Sequence, residues 1–553
     1  MDKTKCIFNN TEFILYFSLA FIGCFNEYIS CIVSVLLIIN IIITLIKRKQ
    51  ISFVFNSLSA FLLCLCAFYF LSFFWAIDKG MAFIGFIKFL PLALFLLSAS
   101  AEENWNIEKV LPFFIGVLCI VSVIGMQIRP LRVYFSVADR LAGVFEYPNT
   151  FALLILIGEL LLYKVKKLKL AHYILFVVLI LSLLYTGSRT VFALFIIANI
   201  VCLFLRQNKA VKKAVLIMLS IVVVLAVVLF VFRGSIIIKR YFRFSLTEST
   251  FVGRLLYYKD ALPLILKHPF GLGYMGYSYI EHSIQSGMYT VKYIHNDLLQ
   301  IMLDVGWIPA VLYIVAIVRS LMSKEIDIFN KVIISVVFLH SCFDFDLQFI
   351  SIFFILILLM KQNAGKKIII KSTFMINSSL VLLMLVNIYM GIALSLANFG
   401  ARQASDKIYS FNTENKIAML EKEEDVETAV EIAQEIQNQN TYSYIPYSVM
   451  AKYYYSVGDF TQLIENKNAV FERNPFDYKE YEEYCRMLIY GIMLYSNAND
   501  KTSVKYCQNE LVSTVDLLES NRDRLSNLGK KIKDQPKTKL PEDIMDYVLK
   551  INK

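Results

Sequence analysis

A chain of 553 residues that is 58% hydrophobic and only 18% charged, with a mean hydropathy of +0.59, is too apolar for a soluble globular domain. Such domains hold about 45–50% apolar and about 25% charged residues. The net charge of +11 is uneven, with 35 Lys and Arg against 19 Asp and Glu before Ala397 and 20 against 25 after it. The positive charge lies in short joints between apolar runs, which argues against a nucleic-acid binder and for a basic membrane part joined to a mildly acidic soluble tail.

A helix needs about 20 apolar residues to cross a bilayer. That ruler predicts spans over 11–25, 29–46, 53–75, 81–99, 109–127, 149–163, 170–187, 190–205, 213–232, 297–318, 331–347, 349–361 and 373–397, about thirteen in all. The first apolar stretch has no small-residue cleavage site and leads straight into the second, so it reads as a span rather than a cleaved leader. Lys and Arg concentrate in joints that stay cytoplasmic. The joints rich in them are Lys47-Arg48-Lys49, 164–169, 206–213 and 361–371, and thirteen spans place all of these on one side with Lys3 and Lys5. The N-terminus is then cytoplasmic and the tail extracytoplasmic.

The opposite face carries the joint 128–148, the tight turn at 187–190, the long segment 233–296 and the tail. Segment 233–296 holds Arg233, Lys239, Arg240, Arg243, Arg254, Lys259, Lys267 and Lys292 against Glu248, Asp260 and Glu281. Long loops escape the positive-inside rule. An anionic ligand at the outer membrane face is the simplest reason for a net positive external segment.

Residues 398–553 form an α-helical domain in this reading. Ala418 to Asn438 is charged and amphipathic, and Val449 to Val470 is a helix, a Gly458-Asp459 turn and a second helix. Asn474-Pro475 breaks the chain before Tyr478 to Leu494. The order resembles tetratricopeptide helix pairs, although a solvated helical cap without a binding role explains it equally well. The Lys-rich stretch Asn527 to Lys539 reads as flexible. Eight of ten cysteines lie in or beside apolar runs with no zinc spacing and read as small apolar filler. Cys485 and Cys507 in the tail can pair in an oxidising compartment.

Polar groups gather where the spans meet the outer face. Asp139-Arg140-Leu141-Ala142-Gly143 precedes Tyr147-Pro148-Asn149-Thr150, and Gly187-Ser188-Arg189-Thr190 forms the turn between spans seven and eight. Gly253-Arg254 opens an amphipathic stretch ending in His268-Pro269-Phe270-Gly271-Leu272-Gly273. His295-Asn296-Asp297 leads into span ten, and His340 and Asp344 lie four residues apart on span eleven. Each has a bland alternative: Arg189 as a snorkelling cation, Arg140 and Arg254 as loop cations, His295 as a surface histidine. Four of the five histidines, however, lie in or near this face. Gly271 to Gly276 satisfies G-x-G-x-x-G by letter, but a dinucleotide site needs a strand before it and a helix after it. Asp344-Phe345-Asp346 mimics a D-x-D metal motif, but alternate residues on a helix face about 200° apart.

Taken in order, DRLAGVFEYPNTFA at 139–152, TGSRT at 186–190, GRLLYYKDALPLILKHPFGLG at 253–273, HNDLLQIMLDVG at 295–306 and HSCFDFDLQ at 340–348 resemble the O-antigen ligase and polymerase superfamily, which includes bacterial protein O-oligosaccharyltransferases. The resemblance covers roughly residues 10–400. It implies an all-α fold, a polytopic transmembrane helix bundle of the multi-spanning lipid-phosphosugar glycosyltransferase type. It also implies an undecaprenyl-pyrophosphate-linked glycan donor, a hydroxyl acceptor on a glycan, lipid or protein, an inverted linkage, and no metal, cofactor or nucleotide sugar. The expected domains are 1–397 in the cytoplasmic (inner) membrane, with the loop 233–296 outside, and 398–553 as the soluble tetratricopeptide-like part.

The chemistry of the residues agrees. A pyrophosphate leaving group gains charge as its bond to the sugar breaks, and Arg meets phosphate oxygens in pairs. Arg189 and Arg254 are the expected clamp, with Arg140 as a third contact. The acceptor hydroxyl needs a base, and His295, with a reference pKa of about 6.5 for its side chain, is the natural one; a role in orienting donor or acceptor stays open. Asp297, His340 and Asp344 are placed as support, His340 and Asp344 sharing a helix face. Tyr147 and Tyr293 are candidates to stack on sugar. A flippase of lipid-linked glycans is a rival from another class and predicts polar residues near the midplane of the spans. A scaffold predicts that Arg189 and His295 tolerate Ala. A shape-elongation-division-sporulation type of polymerase shares the architecture, but its motifs are not apparent. Ligase, polymerase and protein oligosaccharyltransferase differ only in acceptor.

Overall fold

Apolar runs without helix breakers form helices because a bilayer leaves the backbone no other partner than itself. The computed structural model describes residues 9–102, 105–206 and 249–551, together with Lys212, Leu216 and Ser220. All but Leu216 and Ser220 of the ninth expected span, the stretch 233–248 with Arg233, Lys239, Arg240, Arg243 and Glu248, and Lys3, Lys5 and Cys6 lie outside the described residues. The described chain is α-helical with two small antiparallel strand pairs. It divides into two compact units, the first made of residues 1–71, 84–244 and 295–395, the second of 72–83, 245–294 and 396–553.

Glu27–Arg48, Ser57–Phe74, Lys79–Ala101, Ile107–Gln127 and Phe374–Asn398 are long and apolar enough to cross a membrane. Shorter apolar helices are Leu170–Thr186, Arg189–Leu205, Trp307–Met322, Ile328–Ser341 and Ile350–Leu359. The helix Pro148–Leu161 buries all of its residues but Asn149, as a helix that is apolar all round must. It packs against Ile107–Gln127, Leu170–Thr186, Arg189–Leu205 and Ile328–Ser341. Phe374–Asn398, by contrast, buries only Asn387, Met390, Ala393 and Leu394.

Three expected spans differ. The run 297–318 is two helices, Asp297–Val305 and Trp307–Met322, parted at Gly306, whose φ of +86° an L side chain resists. The run 53–75 opens inside a strand, Gln50–Phe55, which pairs antiparallel with Lys366–Lys371 from Gln50 opposite Lys371 to Phe55 opposite Lys366. The run 331–347 stops being helical at Ser341.

The joints between helices meet in sets. Besides the strand pair that joins 50–55 to 366–371, Arg48 Nη1 donates to the Ala101 carbonyl at 2.5 Å and Lys361 Nζ to that of Ala99 at 3.1 Å. Lys164 pairs with Glu108, lies 3.6 Å from Asp327 and donates to Asn330 Oδ1 at 2.8 Å. The Asn363 amide donates to Glu325 at 2.6 Å and Arg206 to the Val165 carbonyl at 2.8 Å.

The second unit is built of helix pairs. Val426–Gln439 packs on Ile445–Val457, that helix on Phe460–Arg473, and Tyr478–Asn497 on Lys501–Ser520. At the Gly458-Asp459 turn, Asp459 caps the following helix by accepting the Gln462 amide at 3.0 Å. Phe460, Leu463, Phe471, Tyr481, Leu488 and Leu511 form a shared core that also holds Cys485 and Cys507, both free thiols. The Lys-rich stretch 527–539 is anchored rather than flexible. Ile532 and Leu528 pack on Val252 and Leu256, and the Ser526 amide donates to the Ser286 carbonyl at 2.9 Å.

The glycines of the G-x-G-x-x-G run serve packing within this unit. Gly273 has φ +86°, and a Cβ there would lie 2.4 Å from that of Ala76. The neighbouring Leu272 carbonyl accepts the Ile77 amide at 3.1 Å, and the Phe270 carbonyl accepts Trp75 Nε1 at 2.9 Å.

Candidate functional site

At one end of the first unit, four chain segments converge: 140–150, 186–189, 295–297 and 340–347. The first is shaped by a hairpin pairing Ser136 with Leu141 and Val137 with Arg140, turned through Ala138 and Asp139 at φ +49° and +61°. Two successive positive φ values make the type of turn whose twist suits a tight hairpin. Pro148, which suits the first turn of a helix, then starts the buried helix Pro148–Leu161 and leaves Tyr147, Asn149 and Thr150 at its head.

Arg140 is a strut in this arrangement. Its Nε donates to the Thr186 carbonyl and its Nη2 to Asn149 Oδ1, both at 2.7 Å. These bonds tie the hairpin to the turn where Gly187 caps Leu170–Thr186 and Arg189, half-buried, opens the next helix. At least two of its five N–H donors bond protein.

Asn149 passes the chain of bonds on. Its Nδ2 donates to Asp344 Oδ2 at 2.7 Å, while Asp344 Oδ1 accepts from the Tyr147 hydroxyl at 2.7 Å and the Phe345 amide at 3.0 Å. The same oxygen lies 3.1 Å from His295 Nδ1. Asp344 is buried, 1% exposed, and a carboxylate only accepts, so Nδ1 carries the proton of that bond and Nε2 is the basic nitrogen. The His295 side chain is 22% exposed, and its ring meets that of Phe345 edge-on at 5.0 Å.

His295 also holds a left-handed backbone at φ +54°. Side chains with a Cβ resist this conformation, and surrounding structure has to hold it. Here Asn296 supplies the hold: its Oδ1 caps the helix Asp297–Val305 by accepting the Leu299 amide at 3.0 Å, and its Nδ2 donates to the Cys342 carbonyl at 2.9 Å. Asp297, the first residue of that helix and buried, accepts the Leu347 amide at 2.9 Å. Asp297 thus pins the 340–347 segment beside His295, a supporting position.

The helix of His340 ends at Ser341, so Asp344 leaves its face, and His340 Nδ1 lies 2.5 Å from Asp346 Oδ2. Asp346 Oδ1 accepts the Thr150 hydroxyl at 2.7 Å, and His340 and Asp346 are 1% and 0% exposed. The D-x-D pair is split between two histidines. Among the described residues, no three His, Cys, Asp or Glu side chains are grouped to hold a metal ion.

Arg254 belongs to the second unit, half-buried on the helix Ser249–Lys267. Tyr293 is buried there, 4% exposed, with its hydroxyl 3.1 Å from that of Tyr274, so its ring is not open to a sugar. Sequence reasoning gave no role to Asn149, Thr150, Asn296, Asp346 or Lys88. The first four lie inside or beside the quoted motifs and show themselves as polar residues at the head or foot of apolar runs. Lys88 is fully buried in Lys79–Ala101, 3.7 Å from Glu27 and 4.7 Å from the Phe25 ring centre. A lone charge within an apolar run is the signal that marks it.

Residues 174–314 match the family model described as O-Antigen ligase. The matched segment includes Arg189, Arg254, His295 and Asp297, and stops short of Arg140 and Asp344 on either side. No curated protein matches the chain. An O-antigen ligase domain within a set of apolar helices makes this an integral membrane protein with a ligase- or polymerase-type function, and so with lipid-linked glycan and acceptor as its general partners. The match over residues 174–314, with the motifs it covers, supports a likeness to the O-antigen ligase superfamily.

Proposed function

We propose that this protein transfers or polymerises a glycan from an undecaprenyl-pyrophosphate carrier onto an acceptor hydroxyl at the outer face of the cytoplasmic membrane, with His295 as general base. The observation that carries the reading is the bond from His295 Nδ1 to the buried Asp344, itself held by Tyr147, Asn149 and the Phe345 amide. A histidine oriented by a buried carboxylate presents Nε2 as the proton acceptor, and the carboxylate stabilises the imidazolium that forms. The left-handed backbone of His295 supports the same reading, because strain of this kind gathers at functional sites.

In the reaction, the acceptor hydroxyl gives its proton to His295 Nε2 while its oxygen attacks the anomeric carbon. The bond from that carbon to the carrier phosphate breaks on the opposite side, and the pyrophosphate departs with the electron pair. The linkage inverts. Arg189 and Arg254 meet the growing charge on the phosphate oxygens. Arg140 acts through the turn that carries Arg189, and Asp297 and the His340–Asp346 pair hold the segment that carries Asp344.

The orientation follows the basic joints: N-terminus in the cytoplasm, residues 398–553 outside. The joint contacts support it, because every joint that thirteen spans assign to the cytoplasm and that is named above bonds to another of the same set. The segments 140–150, 186–189, 295–297 and 340–347 belong to the other set. The passage from the first compact unit to the second between Ser395 and Leu396 supports the domain division. The paired helices around Gly458-Asp459 support a tetratricopeptide-like tail.

Deleting the protein tests the function. Loss of surface glycan, its restriction to single repeats, or its absence from glycoproteins alone identifies ligase, polymerase or protein oligosaccharyltransferase. Unchanged surface glycan without build-up of lipid-linked precursor sinks the transferase. Arg189→Ala, Arg254→Ala and His295→Ala are each expected to abolish transfer while membrane insertion is unaffected, and wild-type activity in His295→Ala removes the general base.

A further inference from the structure

The second unit contains a cleft of about 610 Å³ that the transfer chemistry does not use, lined by residues of 282–290, Tyr444, 474–479 and 534–537. Its size falls within the range of small-ligand sites, about 300–1,000 Å³. Three tyrosines line it, each with its ring held in place. Tyr289 packs on Tyr257 at 4.5 Å between ring centres and donates its hydroxyl to Asp260 Oδ2 at 3.1 Å. Tyr444 lies 5.6 Å from the His282 ring, and the Lys537 ammonium stands 5.3 Å from the Tyr478 ring centre.

The polar groups between these rings are fixed as well. Gln285 Nε2 donates to the Tyr289 carbonyl at 2.5 Å, and Gln535 Nε2 to those of Gly529 and Ile532 at 3.0 and 2.8 Å. Each side chain keeps an amide oxygen as its remaining acceptor. The formal charges balance, Lys479 and Lys537 against Asp477 and Asp534, and burial lowers the pKa of His282 so that it stays neutral at pH 7.

Rigid aromatic rings, planar amides and balanced charge suit a ligand that has apolar faces and many hydroxyls and carries no strong charge. A sugar ring has that form: its C–H face lies on a tyrosine, and each hydroxyl both donates and accepts. We propose that the cleft is an oligosaccharide-binding site, which holds a stretch of the glycan that the enzyme extends or transfers. The inference rests on the glycan-transfer reading for the class of ligand. A glycan bound here is tethered to the chain that bears His295, which raises its effective concentration without a new catalytic group.

The test uses the full-length protein in detergent or nanodiscs. The probe is the carrier-free oligosaccharide released by mild acid from the source cells' own lipid-linked glycan and labelled at its reducing end. Saturable binding is expected, weakened tenfold or more by Tyr444→Ala and by Tyr478→Ala and unchanged by Tyr506→Ala, an exposed tyrosine elsewhere in the unit. Gln535→Ala, at an exposed position, is the substitute if a tyrosine variant fails to fold. In the transfer assay, the cleft variants raise KM for the acceptor glycan rather than lower kcat. His295→Ala separates the two readings, because it removes transfer and leaves probe binding intact. Binding without any transfer activity in the wild type would overturn the transferase and keep the cleft. Transfer without probe binding, binding untouched by the cleft variants, or preferential binding of a Ser/Thr-rich peptide overturns the cleft.

Discussion

Replacing Asp344 by Asn removes one charge from a site 1% exposed and changes its volume little, so it tests the His295–Asp344 pair directly. The amide has one oxygen and one NH₂ group to meet four donors: His295 Nδ1, the Tyr147 hydroxyl, Asn149 Nδ2 and the Phe345 amide. With its oxygen toward His295, the tautomer is kept but the bond to the imidazolium loses its charge assistance. A hydrogen bond to a charged group contributes about 1.5–3 kcal/mol, which corresponds to roughly 10–150-fold in rate. With its NH₂ toward His295, Nδ1 must accept, Nε2 carries the proton, and the base is blocked. Tautomer reversal of this kind costs about 10⁴-fold in a serine-protease triad. We expect kcat to fall by about 10 to 10⁴ between these limits. Tyr147→Phe, which removes one neutral donor, should cost about tenfold or less. The assay is transfer of labelled glycan from the lipid pyrophosphate in solubilised membranes, with abundance and unfolding midpoint measured alongside. Asp344→Asn within threefold of wild type, at unchanged abundance, would refute the dyad.

Other consequences follow from the second unit and the buried pair. Glu281 is buried, accepts the Val291 amide, and has its pKa pushed up from 4.5 to about 8 by desolvation. The folded state therefore binds a proton that the unfolded chain releases, and stability is lost as pH rises from about 4.5 to about 8. Glu281→Gln should raise the unfolding midpoint at pH 8 and leave it nearly unchanged at pH 5; a shift of equal size at both values counts against the burial argument. His340→Ala strands Asp346 in a fully buried position. It should destabilise the protein by about 3–5 kcal/mol and lower its abundance in the membrane; normal abundance with lost transfer would instead give His340 a chemical role. Gly273→Ala meets both a φ of +86° and Ala76 at 2.4 Å. A loss of about 1–3 kcal/mol or more is expected, read as earlier proteolysis of the second unit.

Hydropathy makes the helices of the first unit readable because bilayer burial demands long apolar runs, and it hides what depends on dihedral angles. The break at Gly306 falls inside a mostly apolar stretch from Leu298 to Leu312, interrupted by Gln300 and Asp304, where the glycine and the Pro309 beyond it are the only conformational signals of a break. The end of the strand Gln50–Phe55 reads as the start of a span because Phe53, Val54 and Phe55 are apolar, and its partner Lys366–Lys371 is more than 300 positions away. Charge conceals in the opposite sense. Lys530, Lys531 and Lys533 make 527–539 look unstructured, yet the two apolar residues among them, Leu528 and Ile532, are enough to seat it.

The candidate site is harder to read for a related reason: sequence spacing places residues on a helix, but the chemistry here sits where a helix stops. His340 and Asp344 pair at i and i+4 only if the helix continues, and it ends at Ser341. Beyond that point, alternate residues need not lie on opposite faces of a cylinder, so Asp344 and Asp346 reach different histidines from a single turn. The two His–Asp pairs then look alike in composition and differ in access. His340 is 1% exposed and can neither meet an acceptor nor pass on a proton, whereas His295 is 22% exposed and can do both. Exposure, set by where the chain leaves the helix, separates the proposed base from its buried twin.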